Sequence, residues 1–141
     1  MAQTLKGQCV KTILIADDEA SLRLLVTVTI ASERYRILEA ADGDQAWDLI
    51  REQQPSVAVL DVQMPGRTGL ELTRLIKSDP ALAAIQVILL TSKAQAADVR
   101  AGEAAGADRY LTKPFSPREL VDALNQALSA SEPGASDPDR A

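Results

Sequence analysis

Short apolar runs alternate with segments of helical periodicity along most of this chain. Such runs between helical segments are typical of strands buried on both faces of a parallel sheet. The predicted strands are 12–16, 36–40, 57–60, 86–91 and 109–112. The predicted helices are 20–32, 43–53, one that ends near Asp79 and Pro80, the alanine-rich segment 94–105, and one that starts at Ser116. Repeated strand–helix units with right-handed crossovers predict an α/β fold, a doubly wound five-stranded parallel sheet with helices on both faces.

Two of the predicted helices begin at recognisable capping residues. Asp42 can cap the helix at 43–53. Before the last helix, Ser116, Pro117 and Glu119 combine an N-cap serine, a proline at the first helical position and a glutamate three residues after the serine. The apolar face of this last helix is expected to pack on the sheet and consists of Leu120, Leu124 and Leu128.

The length of 141 residues fits one domain that is large enough to bury a core. We expect an N-terminal extension at 1–11, a folded domain at 12–129 and a disordered tail or the start of a linker at 130–141. The residues after Ser129 are mostly proline, glycine, serine and charged residues, which cannot bury enough apolar surface to become ordered.

Charge and composition exclude several classes of function. The formal net charge is −5, so there is no basic surplus to indicate nucleic-acid binding. The chain has no histidine, which excludes histidine-based catalysis and the usual zinc ligand sets. Its one cysteine, Cys9, cannot form an intramolecular disulfide. No signal-peptide core and no apolar run of membrane-spanning length occurs, so we expect a cytoplasmic protein without a membrane partner.

Acidic residues stand at the ends of two predicted strands. Asp17 and Asp18 follow the first strand, and Asp61 follows the third. Because ligands of open parallel sheets bind outside the carboxyl ends of the strands, these three carboxylates are expected to meet. Two carboxylates about 4 Å apart repel by roughly 4 kcal/mol at an effective dielectric constant near 20. A hard divalent cation would offset that repulsion, and oxygen ligands with retained water favour Mg²⁺.

Two further polar residues lie at the ends of neighbouring strands. Thr91 ends the fourth strand and Lys113 follows the fifth. Each residue alone has a plain structural explanation, since threonine favours strands, lysine is usually solvated and a single aspartate can cap a helix. Together they suit a phosphoryl group, because the hydroxyl can donate to one oxygen while the ammonium offsets the charge of another. Asp61 is then the expected nucleophile, since carboxylates can form aspartyl-phosphate.

Four short motifs carry these residues from about Thr12 to Leu128. They are Ile-Ala-Asp17-Asp18-Glu19, Leu60-Asp61-Val-Gln-Met64-Pro65-Gly-Arg-Thr-Gly69, Leu-Leu-Thr91-Ser92 and Tyr110-Leu-Thr-Lys113-Pro114-Phe115. In this order and spacing the chain resembles the receiver domains of bacterial two-component signalling, and among them the chemotaxis-type single-domain response regulators. The resemblance implies a flavodoxin-like strand order, 2-1-3-4-5.

The resemblance also implies roles for the acidic residues. Asp61 would be the phosphoacceptor, taking the phosphoryl group from a phosphohistidine of a partner. Asp18 would bind Mg²⁺ directly and Asp17 through water. Asp61 and the backbone carbonyl of Gln63 would complete the ligands from the protein.

The same resemblance implies a conformational switch. Thr91 would move toward the phosphoryl group and Lys113 would pair with it. Tyr110 resembles the aromatic residue that changes rotamer when that threonine moves, and a half-buried strand tyrosine is the equally weighted alternative. The bond between Lys113 and Pro114 is expected to be cis.

Partners are implied only at the level of the family. The donor would be a sensor histidine kinase or a phosphotransfer protein. An output partner would bind the face formed by the alanine-rich helix, the fifth strand and the last helix, and a homodimer is compatible with the family. The chain would act as a phosphoacceptor that assists its own phosphorylation and dephosphorylation, and not as an enzyme in the usual sense.

Three other readings remain open. A Mg²⁺-dependent aspartyl-phosphate phosphohydrolase needs a second acid two positions after the nucleophile. Gln63 occupies that position after Asp61, and Glu19 occupies it after Asp17, so only the second pair fits the pattern, and loosely. A flavin site would want small residues and backbone donors where the turn after the first strand is acidic. A degenerate receiver that serves only as an interaction module is disfavoured by the presence of Asp61, Thr91 and Lys113.

Overall fold

A computed structural model describes residues 11–30, 35–91, 100, 103–113 and 115–131. Within these residues the chain alternates strands and helices as the apolar pattern predicts. The elements are β1 (Lys11–Ala16), α1 (Ala20–Ile30), β2 (Tyr35–Ala40), α2 (Gly43–Gln53), β3 (Val57–Asp61), α3 (Gly69–Ser78), β4 (Gln86–Thr91), β5 (Arg109–Thr112) and α4 (Pro117–Ser131).

The five strands form one parallel sheet in the order β2-β1-β3-β4-β5. The predicted order 2-1-3-4-5 is therefore confirmed. The chain leaves β1 toward one edge and returns to β3 on the other side of β1, so the two strands lie side by side at the point where the direction of winding reverses. In open α/β sheets the carboxyl ends of such strands border the ligand crevice.

Both faces of the sheet are covered by helices, which explains the continuous apolar runs. Successive side chains of a strand point to opposite faces, so Ile13 and Ile15 of β1 face the helices α1 and α4, whereas Leu14 faces α2 and α3. The predicted packing of α4 on the sheet is confirmed. Its buried apolar residues are Leu120, Ala123, Leu124, Ala127 and Leu128.

The predicted helix caps are present. Asp42 Oδ1 accepts a hydrogen bond from the backbone N–H of Gln45 at 2.8 Å. Ser116 and Glu119 form a reciprocal capping box with distances of 3.1 and 2.8 Å. A second capping box, between Thr68 and Glu71 at the start of α3, was missed, although the pattern Thr-x-x-Glu is visible in the sequence.

Element boundaries differ from the predicted ones by one or two residues. β1 and β2 each begin one residue earlier, and β3 includes Asp61. Helix α4 continues to Ser131, two residues beyond the predicted domain end at 129. In the alanine-rich segment Arg100 and residues 103–105 are helical, and Gly106 follows with φ of +100°, as expected for a glycine at a helix end.

Several predictions fall on residues outside the described ranges. These are the N-terminal extension before Lys11, most of the alanine-rich helix, the cis bond to Pro114 and the tail after Ser131. Within the ranges that the structure describes, no helix has the length and apolar character needed to cross a membrane.

Candidate functional site

The register of the sheet brings the predicted polar residues to one edge. Ala16 pairs with Leu60 across β1 and β3, so Asp17 and Asp61, which directly follow these residues, lie at the same level of the sheet. Asp61 in turn pairs with Leu90 of β4, so Thr91 lies one residue beyond it. The backbone N–H of Lys113 donates to the carbonyl of Thr91 at 2.7 Å, which holds the lysine at the same edge.

The ammonium group of Lys113 lies between two buried carboxylates. Its Nζ is 2.9 Å from Oδ2 of Asp17 and 3.0 Å from Oδ2 of Asp61. The Asp17 side chain is fully buried and that of Asp61 is 8% exposed. A third carboxylate, Oε1 of the exposed Glu19, lies 3.5 Å from the same nitrogen. One cation therefore faces three anions.

Asp17 is held by the turn that follows β1. Its Oδ1 accepts the backbone N–H of Glu19 at 2.9 Å, and its carbonyl accepts Nη1 of Arg23 at 2.7 Å. Its Oδ2 is buried without a hydrogen bond, although the Lys113 nitrogen lies close by. The contact with Lys113 is therefore an ion pair in which the charge of this oxygen is balanced inside the protein.

Three carboxylates form a group that fits a divalent cation. One carboxylate oxygen from each of Asp17, Asp18 and Asp61 lies within 4.8 Å of the others, and Asp18 is exposed to solvent. The donors are all oxygen, the group carries more negative charge than Lys113 neutralises, and Oδ2 of Asp17 lacks a hydrogen bond. These features suit a hard cation that keeps some of its water, and Mg²⁺ is the natural choice.

An open pocket of about 510 Å³ extends outward from this edge. It is lined by Asp18, Glu19, Asp61, Gln63, Met64, Pro65 and Lys113. Since one water occupies about 30 Å³ of liquid volume, the pocket has room for a hydrated cation and a phosphoryl group together. The backbone N–H of Gln63 donates to Oδ1 of Asp61 at 3.2 Å, so both Asp61 oxygens have a donor beside them.

The environment of Asp61 favours its neutral form. Burial raises the pKa of Asp61 above its ordinary value, and the charge of Asp17 raises it further, while Lys113 and the N–H of Gln63 offset part of the increase. Burial alone would lower the pKa of Lys113, but its two carboxylate neighbours outweigh that effect and raise it. Added positive charge at this site would therefore stabilise the ionised form of Asp61.

The two predicted switch residues lie on adjacent strands, Thr91 in β4 and Tyr110 in β5. Thr91 is buried at the end of β4. Tyr110 of β5 pairs with Leu89 of β4. Its side chain is half-buried against the apolar cluster between the sheet and the helices α2 and α3. Burial raises the pKa of the Tyr110 hydroxyl, with further contributions from the charges of Glu103 and Asp108. This packing is that of a half-buried strand tyrosine, and rotamer switching stays a prediction.

Two residues make contacts at the site that the sequence analysis did not predict. Glu19 contacts Lys113, and Arg23 contacts the backbone of Asp17 and lies 3.4 Å from Glu39. Glu19 stands directly after the two aspartates, so its position gave a signal. Arg23 gave none, because it lies on helix α1 whereas its partner Glu39 lies on strand β2, and sequence spacing does not show that they meet.

A family model for the response regulator receiver domain matches residues 13–125. The chain belongs to this family. Receiver domains belong to two-component signalling, so the predicted family and fold are both confirmed.

Curated relatives of this receiver domain are longer than the chain. It is 42% identical over 127 residues to the phosphate regulon transcriptional regulatory protein PhoB of Pseudomonas aeruginosa, covering 90% of this chain and 56% of the relative. It is 34% identical over 120 residues to the DNA-binding response regulator MtrA of Mycobacterium tuberculosis, covering 85% and 51%. The receiver domain thus spans about half the length of these relatives.

Solved receiver domains share its architecture. The chemotaxis protein CheY4 of Vibrio cholerae superposes with a TM-score of 0.78 at 29% identity, covering 84% of this chain and 99% of that one. The receiver domain of the Francisella response regulator 1452 gives a TM-score of 0.79 at 27% identity, covering 86% and 99%. In both, nearly the whole solved chain corresponds to this receiver domain.

Proposed function

We propose that this receiver domain accepts a phosphoryl group on Asp61 from a phosphohistidine, in a reaction that depends on Mg²⁺. The observation that carries the proposal is the position of Lys113, whose ammonium lies within 3.0 Å of carboxylate oxygens of both Asp17 and Asp61. A lysine between two buried carboxylates, at the base of an open pocket, suits a site where a further anion is to be stabilised.

In the proposed transfer step, Asp61 is the nucleophile, and Lys113, Thr91 and Mg²⁺ stabilise the charge of the phosphoryl group. A carboxylate oxygen of Asp61 attacks phosphorus in line with the phosphohistidine nitrogen, an oxygen–phosphorus bond forms, and the phosphorus–nitrogen bond breaks with its electron pair returning to the imidazole. Lys113 remains paired with negative charge throughout, and Thr91 donates its hydroxyl to a phosphoryl oxygen. When bound by Asp17, Asp18, Asp61 and the carbonyl of Gln63, Mg²⁺ supplies charge neutralisation for the phosphoryl oxygens.

The metal site can be tested through Asp18, which is exposed to solvent. We expect Asp18→Asn to weaken Mg²⁺ binding by about tenfold or more, because a charged oxygen ligand is lost from a small set. The measurement is calorimetric titration with Mg²⁺, together with acyl-phosphate formation from acetyl phosphate, detected by its sensitivity to hydroxylamine. The matched control is Asp48→Asn, an exposed aspartate on α2 that lies outside the pocket. Equal binding by both variants would contradict the proposed ligand set.

Phosphorylation is proposed to alter the face formed by the alanine-rich helix, β5 and α4. Support comes from the hydrogen bond between the backbone N–H of Lys113 and the carbonyl of Thr91, which joins the end of β4 to the end of β5, so a change at Thr91 would reach β5 of this face. Beryllofluoride, which mimics an acyl-phosphate, is expected to shift the NMR resonances of Thr91 and Tyr110 when Mg²⁺ is present. Unchanged resonances at both residues, with fluoride bound at Asp61, would rule out this switch.

The proposed unit runs from residue 12 to the end of α4, with a sensor histidine kinase or phosphotransfer protein as its donor. PhoB and MtrA are named as a transcriptional regulator and a DNA-binding regulator. We do not extend DNA binding to this domain, because its net charge is negative.

We place it in the cytoplasm, where histidine kinases present their phosphohistidine. An output partner or a second copy of the domain would bind the switching face.

A phosphohydrolase is the less supported alternative. Gln63 occupies the position where a phosphohydrolase would need a second acid, and its backbone N–H faces Asp61. Incubation with a generic phosphomonoester and Mg²⁺ is therefore expected to release no phosphate beyond one equivalent.

A further inference from the structure

The loop between β3 and α3, residues 62–68, is attached to the first turn of α2. The backbone N–H of Gly43 donates to the carbonyl of Pro65 at 2.9 Å. The guanidinium Nη1 of Arg67 lies 2.6 Å from Oδ1 of Asp44. We refer to these four residues, Gly43, Asp44, Pro65 and Arg67, as the α2–loop latch. The hydrogen bond also satisfies one of the N–H groups that the start of a helix leaves without a partner.

The loop approaches α2 so closely that only glycine fits at position 43. A Cβ atom added there would lie 1.7 Å from the carbonyl oxygen of Arg67. On the other side of the contact, Gly66 has φ of +76°, and a Cβ atom on it would lie 3.0 Å from a carboxylate oxygen of Asp44. Backbone packing therefore fixes the distance between the loop and α2, in addition to the two polar contacts.

The same loop forms one wall of the pocket. Gln63, Met64 and Pro65 line the pocket, and Gln63 is the residue whose carbonyl is proposed to bind Mg²⁺. At its β3 end the loop is anchored by the N–H of Val62, which donates to the carbonyl of Leu90 at 2.9 Å. The wall is thus held at two points, by the sheet at Val62 and by the latch at Pro65, and Gln63 lies between them.

The ion pair of the latch has little to contribute to overall stability. The side chains of Arg67 and Asp44 are 42% and 66% exposed, and exposed pairs contribute little because water and salt screen them. Because this contact joins the loop to α2, it can nevertheless determine the position of the loop. Its effect should therefore appear in ligand geometry more than in melting temperature.

We propose that Arg67 and Gly43 are positioning residues for the magnesium site, acting through the latch on the carbonyl of Gln63. This inference rests on the proposed Mg²⁺-dependent function. Small displacements of a ligand carbonyl weaken metal binding, because Mg²⁺ demands near-ideal octahedral geometry. The first turn of α2 would then be coupled to the phosphoryl pocket although none of its residues lines it.

The variant Arg67→Met distinguishes the latch from a purely electrostatic effect of Arg67 on Mg²⁺ binding. Removing a positive charge near a cation site should by itself tighten Mg²⁺ binding. Loss of the latch should instead weaken it, and we expect a dissociation constant about threefold higher than in the wild type, as for the loss of a surface ion pair. The matched control is Arg51→Met, since Arg51 also forms an exposed ion pair of 2.6 Å, but with Asp48 on its own helix α2.

Two further measurements do not depend on phosphorylation. In metal-free buffer, the Gly43 amide should exchange its hydrogen faster in Arg67→Met than in Arg51→Met, because its acceptor on Pro65 is less firmly held. Gly43→Ala should raise the dissociation constant for Mg²⁺ by about tenfold or more, since the added Cβ displaces the loop backbone. Circular dichroism and the NMR spectrum of the sheet would show that each variant retains its fold.

The outcomes distinguish failure of the latch from failure of the proposed function. Weaker Mg²⁺ binding in Arg67→Met than in both the wild type and Arg51→Met supports the latch. Equal or tighter binding in Arg67→Met overturns it while leaving the proposed function intact. A wild-type chain that takes up no Mg²⁺ overturns the proposed function, and the latch with it as a device for the metal site.

Discussion

Asp61→Asn is expected to lose acyl-phosphate formation from acetyl phosphate and Mg²⁺ by at least about 100-fold, as when a nucleophile is removed. Asparagine keeps the shape of the side chain and can accept the N–H of Gln63, but its amide is not a nucleophile toward phosphorus. The measurement is the hydroxylamine-sensitive label on the intact protein, followed at saturating Mg²⁺ so that weaker metal binding cannot account for the loss.

The control for this prediction is again Asp48→Asn, which should label like the wild type. Full labelling of Asp61→Asn would show that another carboxylate, such as Asp17 or Asp18, accepts the group. Failure of the wild type to label would favour a module that acts only through binding.

Lys113→Ala is expected to lower the free energy of unfolding in metal-free buffer by about 3–5 kcal/mol, the range found when one partner of a buried ion pair is removed. The reason is that Asp17, which is fully buried, and Asp61, which is nearly so, would both lose their cation. Urea denaturation monitored by circular dichroism measures the change. Saturating Mg²⁺ should restore part of the loss, because a cation that binds only the folded state stabilises it.

The companion variant Asp61→Asn should change stability in the opposite direction. Because the pKa of Asp61 is raised in the folded state, ionising this group at neutral pH destabilises the fold. Its neutral replacement should melt higher by roughly 4 °C for each kcal/mol of unfavourable charge energy removed. In the double variant, Asp61→Asn should recover part of the stability lost in Lys113→Ala. A lower melting temperature for Asp61→Asn would show that the carboxylates are not crowded.

The stability gain expected for Asp61→Asn should increase with pH. A carboxyl with a raised pKa binds its proton more tightly in the folded chain, so its contribution is most favourable below its ordinary value of 3.8 and is lost as the pH rises through the folded value. In metal-free buffer, the stability advantage of Asp61→Asn over the wild type should therefore be absent below pH 3.8 and complete above the folded-state pKa of Asp61.

The sequence was sufficient for the fold because each element carries its own local signal. Strands such as Val57–Asp61 are apolar up to their last residue since helices cover both faces of the sheet, and Asp42 and Ser116 mark helix starts within a few residues of chain. The location of the site could be predicted as well, whereas the roles of its residues stay predictions. Asp17 and Lys113 follow strands and Asp61 ends one, and a parallel sheet places all strand ends of one kind at one edge.

Only the tertiary structure decided which atoms face each other at that edge. The position of Lys113 between Asp17 and Asp61, its third neighbour Glu19, and the raised pKa of Asp61 all depend on the register of three strands and on burial. The attachment of Arg67 to the first turn of α2 is likewise invisible in the sequence. Local periodicity determines elements because it acts over a few residues, whereas contacts between distant residues exist only once the sheet and its helices are packed.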